Sequence, residues 1–379
     1  MVQLDDVGQL IRERGSTLSS EVHGRLFEAI PETRQLFPAD MGRAHTQLPR
    51  ALAWVLENAD ENGLLCDDVI AQIHTLARDH RRHGFPSDIY DLFGLLLGDA
   101  FVETVGDDLP QETINHVVRL IGLVCSELSI ATSEDELKGI PPAYAAHITH
   151  IENHGEEVKV LKLEAGTPVD YSAGDLVPVK PSEQQGGWMC LAPALPPNPF
   201  GHLEFHVPQK VPASVGDYWT IGSPRTGITS TEGRDKLLIC AGTGLSIMKS
   251  LVFDLLAQSE RPNVHLMITA DSPAGLYELT TFAALAQAND WLTVTPVVDG
   301  PASIENPPTT AGITPVTVPV EILLSGAGLW WDREILIAGP DDAIEPIHLA
   351  LLDAGAPNED IRLCSPHGHD MWAREDDPF

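Results

Sequence analysis

Twice along this 379-residue chain the hydrophobic pattern changes period, near residue 140 and again near residue 236, and those changes limit what the chain can fold into. Up to about residue 135, apolar side chains recur every three to four positions: Leu92, Leu95 and Leu96 lead to Phe101 and Val102, and Val117, Leu120, Ile121 and Val124 follow the same spacing. That is the signature of amphipathic helices, and no strand-like alternation interrupts it. The polar run Thr132-Ser133-Glu134-Asp135-Glu136 and then Ile140-Pro141-Pro142 read as a linker. Beyond it Glu157 to Leu163 alternates, and short apolar runs at 176–179, 203–207 and 218–221 are parted by Gly and Pro, which suits a small antiparallel barrel.

From Lys236 the runs become continuous. Leu237-Leu238-Ile239-Cys240-Ala241 has the look of a buried strand, Gly242-Thr243-Gly244 of a turn, and Ser246 to Ala257 of an apolar-faced helix. Val264 to Ile268, Leu292 to Val297 and Glu334 to Ala338 add strands, with helical segments between the first pair and after the last. This predicts a doubly wound α/β domain. The expected architecture is multidomain, with an all-α domain over 1–135, a β-barrel over 145–232 and a nucleotide-binding-like α/β domain over 233–379. The length agrees, since 379 residues exceed one ordinary core and suit domains of about 100–150 residues. The stretch 299–328, rich in Pro, Thr and Gly, has no assignable pattern, and no internal repeat is present.

With 55 acidic against 23 basic residues, the formal net charge of −32 argues against nucleic acid or an anionic membrane as partner, because such a surface repels phosphate. The five cysteines, at 66, 125, 190, 240 and 364, are odd in number and form no Cys-x-x-Cys pair. Neither a disulfide framework nor a thiolate metal site is indicated. The start, Met1-Val2-Gln3-Leu4-Asp5-Asp6, is acidic where a signal peptide is basic, and no apolar run is read as approaching the roughly 18 residues of a membrane span. The expectation is a soluble cytoplasmic protein.

In the helical part, His80 lies within Leu76-Ala77-Arg78-Asp79-His80-Arg81-Arg82-His83-Gly84-Phe85, with Tyr90 ten residues on. One histidine on an amphipathic helix is more often surface or satisfied core than a ligand. Its register with Val22-His23-Gly24-Arg25-Leu26-Phe27, Pro31, Leu36-Phe37 and Gln47 changes that reading. The arrangement resembles the globin domain of the flavohaemoglobins. The resemblance implies haem b as cofactor, His80 as its proximal metal ligand and Phe37 on the haem face. Farther on, Trp188 to Val207, with Pro196-Pro197-Asn198-Pro199 and Gly201-His202-Leu203-Glu204-Phe205-His206-Val207, is similar to the globin-linked flavin oxidoreductases of actinobacteria. So are Gly275-Leu276-Tyr277-Glu278-Leu279 and Asn289 to Val294, and the likeness thus covers nearly the whole chain.

In that family a glycine-rich turn approaches a pyrophosphate and aims a helix N-terminus at it. Gly242, Thr243, Gly244 and Ser246 match that turn, with Ile247 where proline is usual, and Gly339-Pro340 resembles a second turn, with Ala338 where cysteine is common. These residues imply NAD(P)H. The flavin positions depart from the family: its Arg-x-Tyr-Ser segment, which meets the flavin phosphate, is replaced by Trp188-Met189-Cys190-Leu191-Ala192. The Gly-x-Val-Ser segment at a helix N-terminus is also missing, since Val207 runs through Pro208–Ser214 directly to Gly216. Each lost charge-assisted contact costs about 1.5–3 kcal/mol, so FAD is expected to bind poorly or not at all. Lys210 and Arg225 remain as cations able to compensate.

Over the haem, His23 stands where the family carries a tyrosine that donates to bound dioxygen; an imidazole donates too, or binds iron itself. Gln47 keeps the usual distal amide, and Tyr90 matches the tyrosine that buttresses the proximal histidine. The glutamate that accompanies this tyrosine has no counterpart in register, Glu127 being the nearest. His74 and His83 read as surface, His147, His150 and His154 as strand residues that merely imitate metal spacing, and His367-Gly368-His369 as a solvated tail. The resemblance implies nitric oxide dioxygenase-type oxidoreductase chemistry on dioxygen or nitric oxide, with His23, Gln47 and Tyr90 as catalytic residues. Two alternatives stand beside it: a haem-based ligand-binding or sensor protein, and an oxygenating biosynthetic enzyme served by an external reductase.

Overall fold

A computed structural model describes residues 3–37, 44–60, 62–182, 188–298, 309, 312–325 and 330–365, with backbone alone at 36 and 44–46. The chain divides into two compact units, one running up to Ala143 and the other starting at Tyr144.

The first unit is helical: α1 Leu4–Glu13, α2 Gly15–Ala29, α3 Ala44–Asn58, α4 Asp67–Arg81, α5 Ile89–Val105 and α6 Gln111–Leu137, with a 3-10 turn at Pro31–Leu36 after α2. Its core gathers Val7, Leu18, Val22, Leu56, Ile73, Phe101, Val117 and Ile121; of the positions the three-to-four spacing marks, Phe101, Val117, Leu120 and Ile121 are buried, while Leu95 and Val102 are exposed. Helix α4 opens on Asp67 and Asp68 and closes on Arg78, His80 and Arg81, each sign favoured at its end of the helix dipole. By length and composition α6 passes for a membrane span, with a mean hydropathy of 1.4 over its most apolar window, which the sequence reading did not anticipate. Its face of Val117, Leu120, Ile121, Cys125 and Leu128 is buried, and it packs on α4 and α5 as a core helix does.

The second unit holds two sheets. Strands β1 Tyr144–His154, β2 Val158–Ala165, β3 Val177–Pro181, β4 Met189–Leu191, β5 His202–Pro208 and β6 Tyr218–Ile221 form a six-stranded antiparallel sheet in the order β4-β3-β6-β1-β2-β5. A bridge between Pro193 and Phe205 links its two edges, so that it nearly closes into a barrel around Ile148, Leu161, Leu163, Phe205 and Trp219. There follow β7 Lys236–Ala241, α7 Leu245–Ala257, β8 Val264–Ala270, α8 Leu279–Ala288, β9 Leu292–Val298, α9 Val320–Leu324, β10 Glu334–Ala338, α10 Asp341–Asp353 and β11 Ile361–Cys364. Five of these make a parallel sheet in the order β11-β10-β7-β8-β9. The first strand, β7, sits in the middle, so the crevice at the strand order's switch point lies beyond the ends of β7 and β10. β11 is an addition to the expected strands. In the 299–328 stretch Val316 bridges to Val297 and α9 forms, while most of its other residues, like His367–His369, fall outside the described set.

At the other end of β7 and β10, Lys236 Nζ meets Glu334 Oε2 at 2.7 Å, with both side chains buried. Glu334 also accepts from the Thr231 amide and hydroxyl and pairs with Arg362. Burial works to raise its pKa, but Lys236 and Thr231 hold it below the ordinary carboxylate value of 4.5. A depressed folded value means that this contribution is present above the unfolded pKa and fades as pH falls through the folded one. Lys236→Met should destabilise the protein in denaturant unfolding at neutral pH by less than the about 3–5 kcal/mol of a fully unpaired buried charge, because it removes the buried cation of Glu334 and leaves the part-exposed Arg362 as its only cation. The deficit should shrink on acidification as Glu334 protonates. A variant as stable as the wild type at both pH values would contradict this.

Candidate functional site

His80 sits on the last turn of α4, and its neighbours are pinned. Asp79 pairs with Arg82, while Arg81 reaches Asp135 of α6 at 3.2 Å and donates to the Ile140 carbonyl at 2.7 Å. The imidazole is therefore carried on a fixed turn. It lies parallel to the Tyr90 ring at 6.5 Å and 6.4 Å from Phe85, so the two residues the sequence paired do come together. Burial pushes the Tyr90 phenol up to about 12, and Thr132 on α6 pulls the other way. Neither hydroxyl reaches hydrogen-bond geometry, and both are buried. Glu127 bonds His74 at 2.9 Å instead, which corrects the surface reading of His74 and leaves Thr132 where a carboxylate partner of Tyr90 was sought.

His23, on α2, is 6% exposed. It stacks on Phe27 at 5.9 Å and meets Phe37 edge-on at 4.8 Å, with Phe27 and Phe37 5.4 Å apart. His23 and Phe37 thus share one aromatic cluster, whereas Gln47 is exposed on the first turn of α3 and enters no such contact. A cavity of about 520 Å³, within the usual range for small-molecule sites, opens between Ile30, Thr33 and Gln35 on one side and His83, Phe85, Ile89 and Leu92 on the other. His83 is therefore a wall residue rather than plain surface. Neither His23 nor His80 lines this space; Phe85 is the wall residue that touches the His80 group.

In the second unit the two expected turns meet. Gly242 has φ +52, and a Cβ there would find only the Pro340 ring, at 3.8 Å. At Gly244 a Cβ would fall 2.1 Å from the Ala338 carbonyl oxygen, and at Gly339 3.0 Å from that of Ala241. Gly244 and Gly339 are thus demanded by the approach of two backbones, and Gly242 is the one with an open face. Ser246 Oγ donates to the Thr243 carbonyl at 2.8 Å and is buried, so this hydroxyl closes the turn.

On the flavin side, Leu191 and Ala192 are buried and residues 209–217 form turns, with no helix between β5 and β6. Arg225 pairs its backbone with Leu176 at 2.9 and 2.7 Å; burial lowers its pKa, and it lies near Cys190 of β4. Lys210 is exposed.

A polar seam was missed in the sequence. Glu204 and His206 alternate with Leu203, Phe205 and Val207 on β5, so both project from the barrel's outer face, and both are buried there. Lys249 of α7 pairs with Glu204 at 2.7 Å and Glu278 at 3.1 Å, and His206 bonds Tyr277 at 3.0 Å. The alternation shows two polar residues on one face, but their partners lie 45 and 71 residues away. Glu204, His206 and Glu278 offer ligand atoms within 4.8 Å of one another, yet Lys249 already bridges the two carboxylates and closes the cluster to a cation.

No family model matches the sequence. The chain is similar in structure to the flavohemoglobin from Malassezia yamatoensis with bound FAD and heme, at a TM-score of 0.72 and 16% identity, covering 96% of this chain and 99% of that one. The ferredoxin reductase in carbazole 1,9a-dioxygenase matches 60% of this chain and 70% of its own at a TM-score of 0.50 and 18% identity. In sequence it is 23% identical over 174 residues to the phenol hydroxylase P5 protein of Acinetobacter pittii, 42% of this chain and 49% of that protein, so it spans about half the length of that curated relative. The fold is that of a flavohaemoglobin over nearly the whole chain.

The glycine geometry gives a graded expectation. Gly244→Ala should destabilise the second unit and shift its thermal transition downward, because backbone atoms cannot yield as a flexible side chain would. Gly242→Ala should cost only about 1 kcal/mol, the strain of a positive φ. Equal transitions for the two variants would contradict the backbone packing.

Proposed function

We propose that the protein is a haem oxidoreductase of the flavohaemoglobin type, acting on dioxygen or nitric oxide with nicotinamide-derived electrons, and that its own flavin site is weakened. The observation carrying this reading is the His80–Tyr90–Phe85 group at a pinned helix end, beside a cavity, in a chain with the flavohaemoglobin fold. The buried, unsatisfied Tyr90 hydroxyl beside His80 fits a proximal haem side. Bound haem b would supply an iron that takes a diatomic ligand and accepts electrons singly.

His80 is assigned as the metal ligand and Phe37 as a haem-face residue. Thr132, not a carboxylate, stands beside Tyr90, so a tyrosine–carboxylate pair of the family's kind does not act on His80 through Tyr90, and we assign His80 a weaker push of electron density than the family's proximal histidine. His23 and Gln47 are assigned to the distal side. The buried His23 is the stronger donor candidate, and Gln47, exposed, the weaker. Gly242, Thr243, Gly244, Gly339 and Pro340 support an NAD(P)H pyrophosphate, and Ser246 shapes the turn rather than touching the ligand.

The residues present do not fit FAD in the family manner. Met189 offers no charge, and no helix N-terminus stands between β5 and β6. That favours electrons from an external reductase as a second reading. A net charge of −32 supports a protein free of nucleic acid and membrane, and we assign it to the cytoplasm.

Purified protein should show a Soret band with about one haem per chain and release little FAD on denaturation, as read by absorbance and cofactor extraction. One tightly held FAD per chain would overturn the weakened flavin site, and failure to take up haem would overturn the haem reading. His23→Phe should change the ferric spin state or speed ligand release more than Gln47→Leu does. The reverse order would move the distal role to Gln47.

A further inference from the structure

The seam beneath the nucleotide-type turn contains one proton too few for its acceptors. Tyr277 Oη lies 3.0 Å from the Gly242 carbonyl oxygen and 3.0 Å from His206 Nδ1, while His206 Nε2 lies 3.1 Å from Glu204 Oε1. Burial disfavours ionised Glu204, but His206 and Lys249 hold its pKa down at about 2, so it only accepts and His206 Nε2 carries a hydrogen. The Tyr277 phenol, raised well above its ordinary value by burial, keeps its single proton.

Two hydrogen arrangements follow with the heavy atoms in place. With His206 neutral, bare Nδ1 accepts from Tyr277 and the Gly242 carbonyl loses that donor. With His206 protonated, Nδ1–H donates to the phenol oxygen and the phenol proton turns to Gly242.

We propose that His206 and Tyr277 form a proton-operated latch on the 242–244 turn, which makes them positioning residues for the dinucleotide pyrophosphate. The ligand's identity rests on the function proposed above; the latch itself does not.

Charge and burial act on the imidazole in opposite directions. Glu204 faces it from β5, Lys249 from α7, and Tyr277 and Glu278 from the loop after β8. From β1, His154 packs 5.4 Å from the Tyr277 ring, and Glu152 is paired with Lys162 of β2 at 2.5 Å. Cys240 of β7 lies near the phenol and is neutral, its thiol raised by burial. Three carboxylates, at 152, 204 and 278, against two ammonium groups, at 162 and 249, leave one net negative charge, which favours a proton on His206. Burial opposes that proton and lowers the His206 pKa. Glu278 is the one described non-glycine residue at positive φ, +59, a conformation that persists where surroundings over-determine it, as the Lys249 pair does here. An anion on the turn adds negative charge and so favours the latched form, and by linkage the latched form favours the anion.

The test is amide hydrogen exchange in the full chain over residues 242–246, expressed as protection factors from about pH 8 through and below the ordinary histidine range, since burial moves the His206 proton to the acid side. His206 is followed in parallel by nitrogen-15 NMR. In the wild type, protection should rise about tenfold as the imidazole takes its proton, the equivalent of one ordinary hydrogen bond. Tyr277→Phe and His206→Gln should show no such rise. Calorimetry with NADH in two buffers of different ionisation enthalpy should show more proton uptake in the wild type than in Tyr277→Phe, which keeps only the direct attraction between the anion and His206. A pH-dependent latch in a chain that binds no NADH would uphold the latch and refute the assigned ligand. The same pH slope in Tyr277→Phe as in the wild type, or an imidazole that stays neutral throughout, would overturn the latch.

Discussion

The buried pair Arg81–Asp135 is the interaction on which the helical site depends. It ties the end of α4 to α6, and the same guanidinium takes the Ile140 carbonyl, so one side chain fixes a helix terminus to a helix and to the chain leaving it. Asp79 and Arg82 secure the other flank of His80. A histidine on the last turn of a helix would otherwise fray with it. Here its backbone has no such freedom, and Tyr90 and Phe85 set the ring's surroundings.

The second unit has a glycine-lined turn where β7 and β10 end, and its β4 carries neither arginine nor tyrosine. The ends of β7 and β10 approach so closely that Gly244 and Gly339 are structural necessities, whatever binds there. β4 is held by its antiparallel pairing with β3 and by Leu191 in the barrel core, and neither demands a charged side chain. Backbone pairing tolerates loss of the family's arginine and tyrosine; phosphate recognition does not. In the proposed weakened flavin site, fold and cofactor recognition would separate within this antiparallel sheet.

The sequence made the periodic parts legible. The helices around Phe101 and Ile121 and the strands from Leu237 and Ile335 follow from spacing, since burial imposes a period that needs no knowledge of the partner. The proximity of His80 to Tyr90 and of His23 to Phe37 was legible through family register. The Glu127–His74 bond and the Glu204–His206–Lys249–Tyr277 seam were not, because a polar contact across 53 or 71 residues leaves no periodic trace. β11, a short strand of mixed exposure, lacked the continuous apolar run that marked its neighbours.

The central claim is that His80 holds the iron of a haem. Replacing it by glycine opens space for a free imidazole at the same place, so His80→Gly examined by visible and resonance Raman spectroscopy with and without added imidazole tests the claim most directly. Haem binding and the iron–imidazole signature should be lost in the variant and restored by imidazole. A His80→Gly protein that keeps its haem content and ferrous spectrum without imidazole would contradict the assignment.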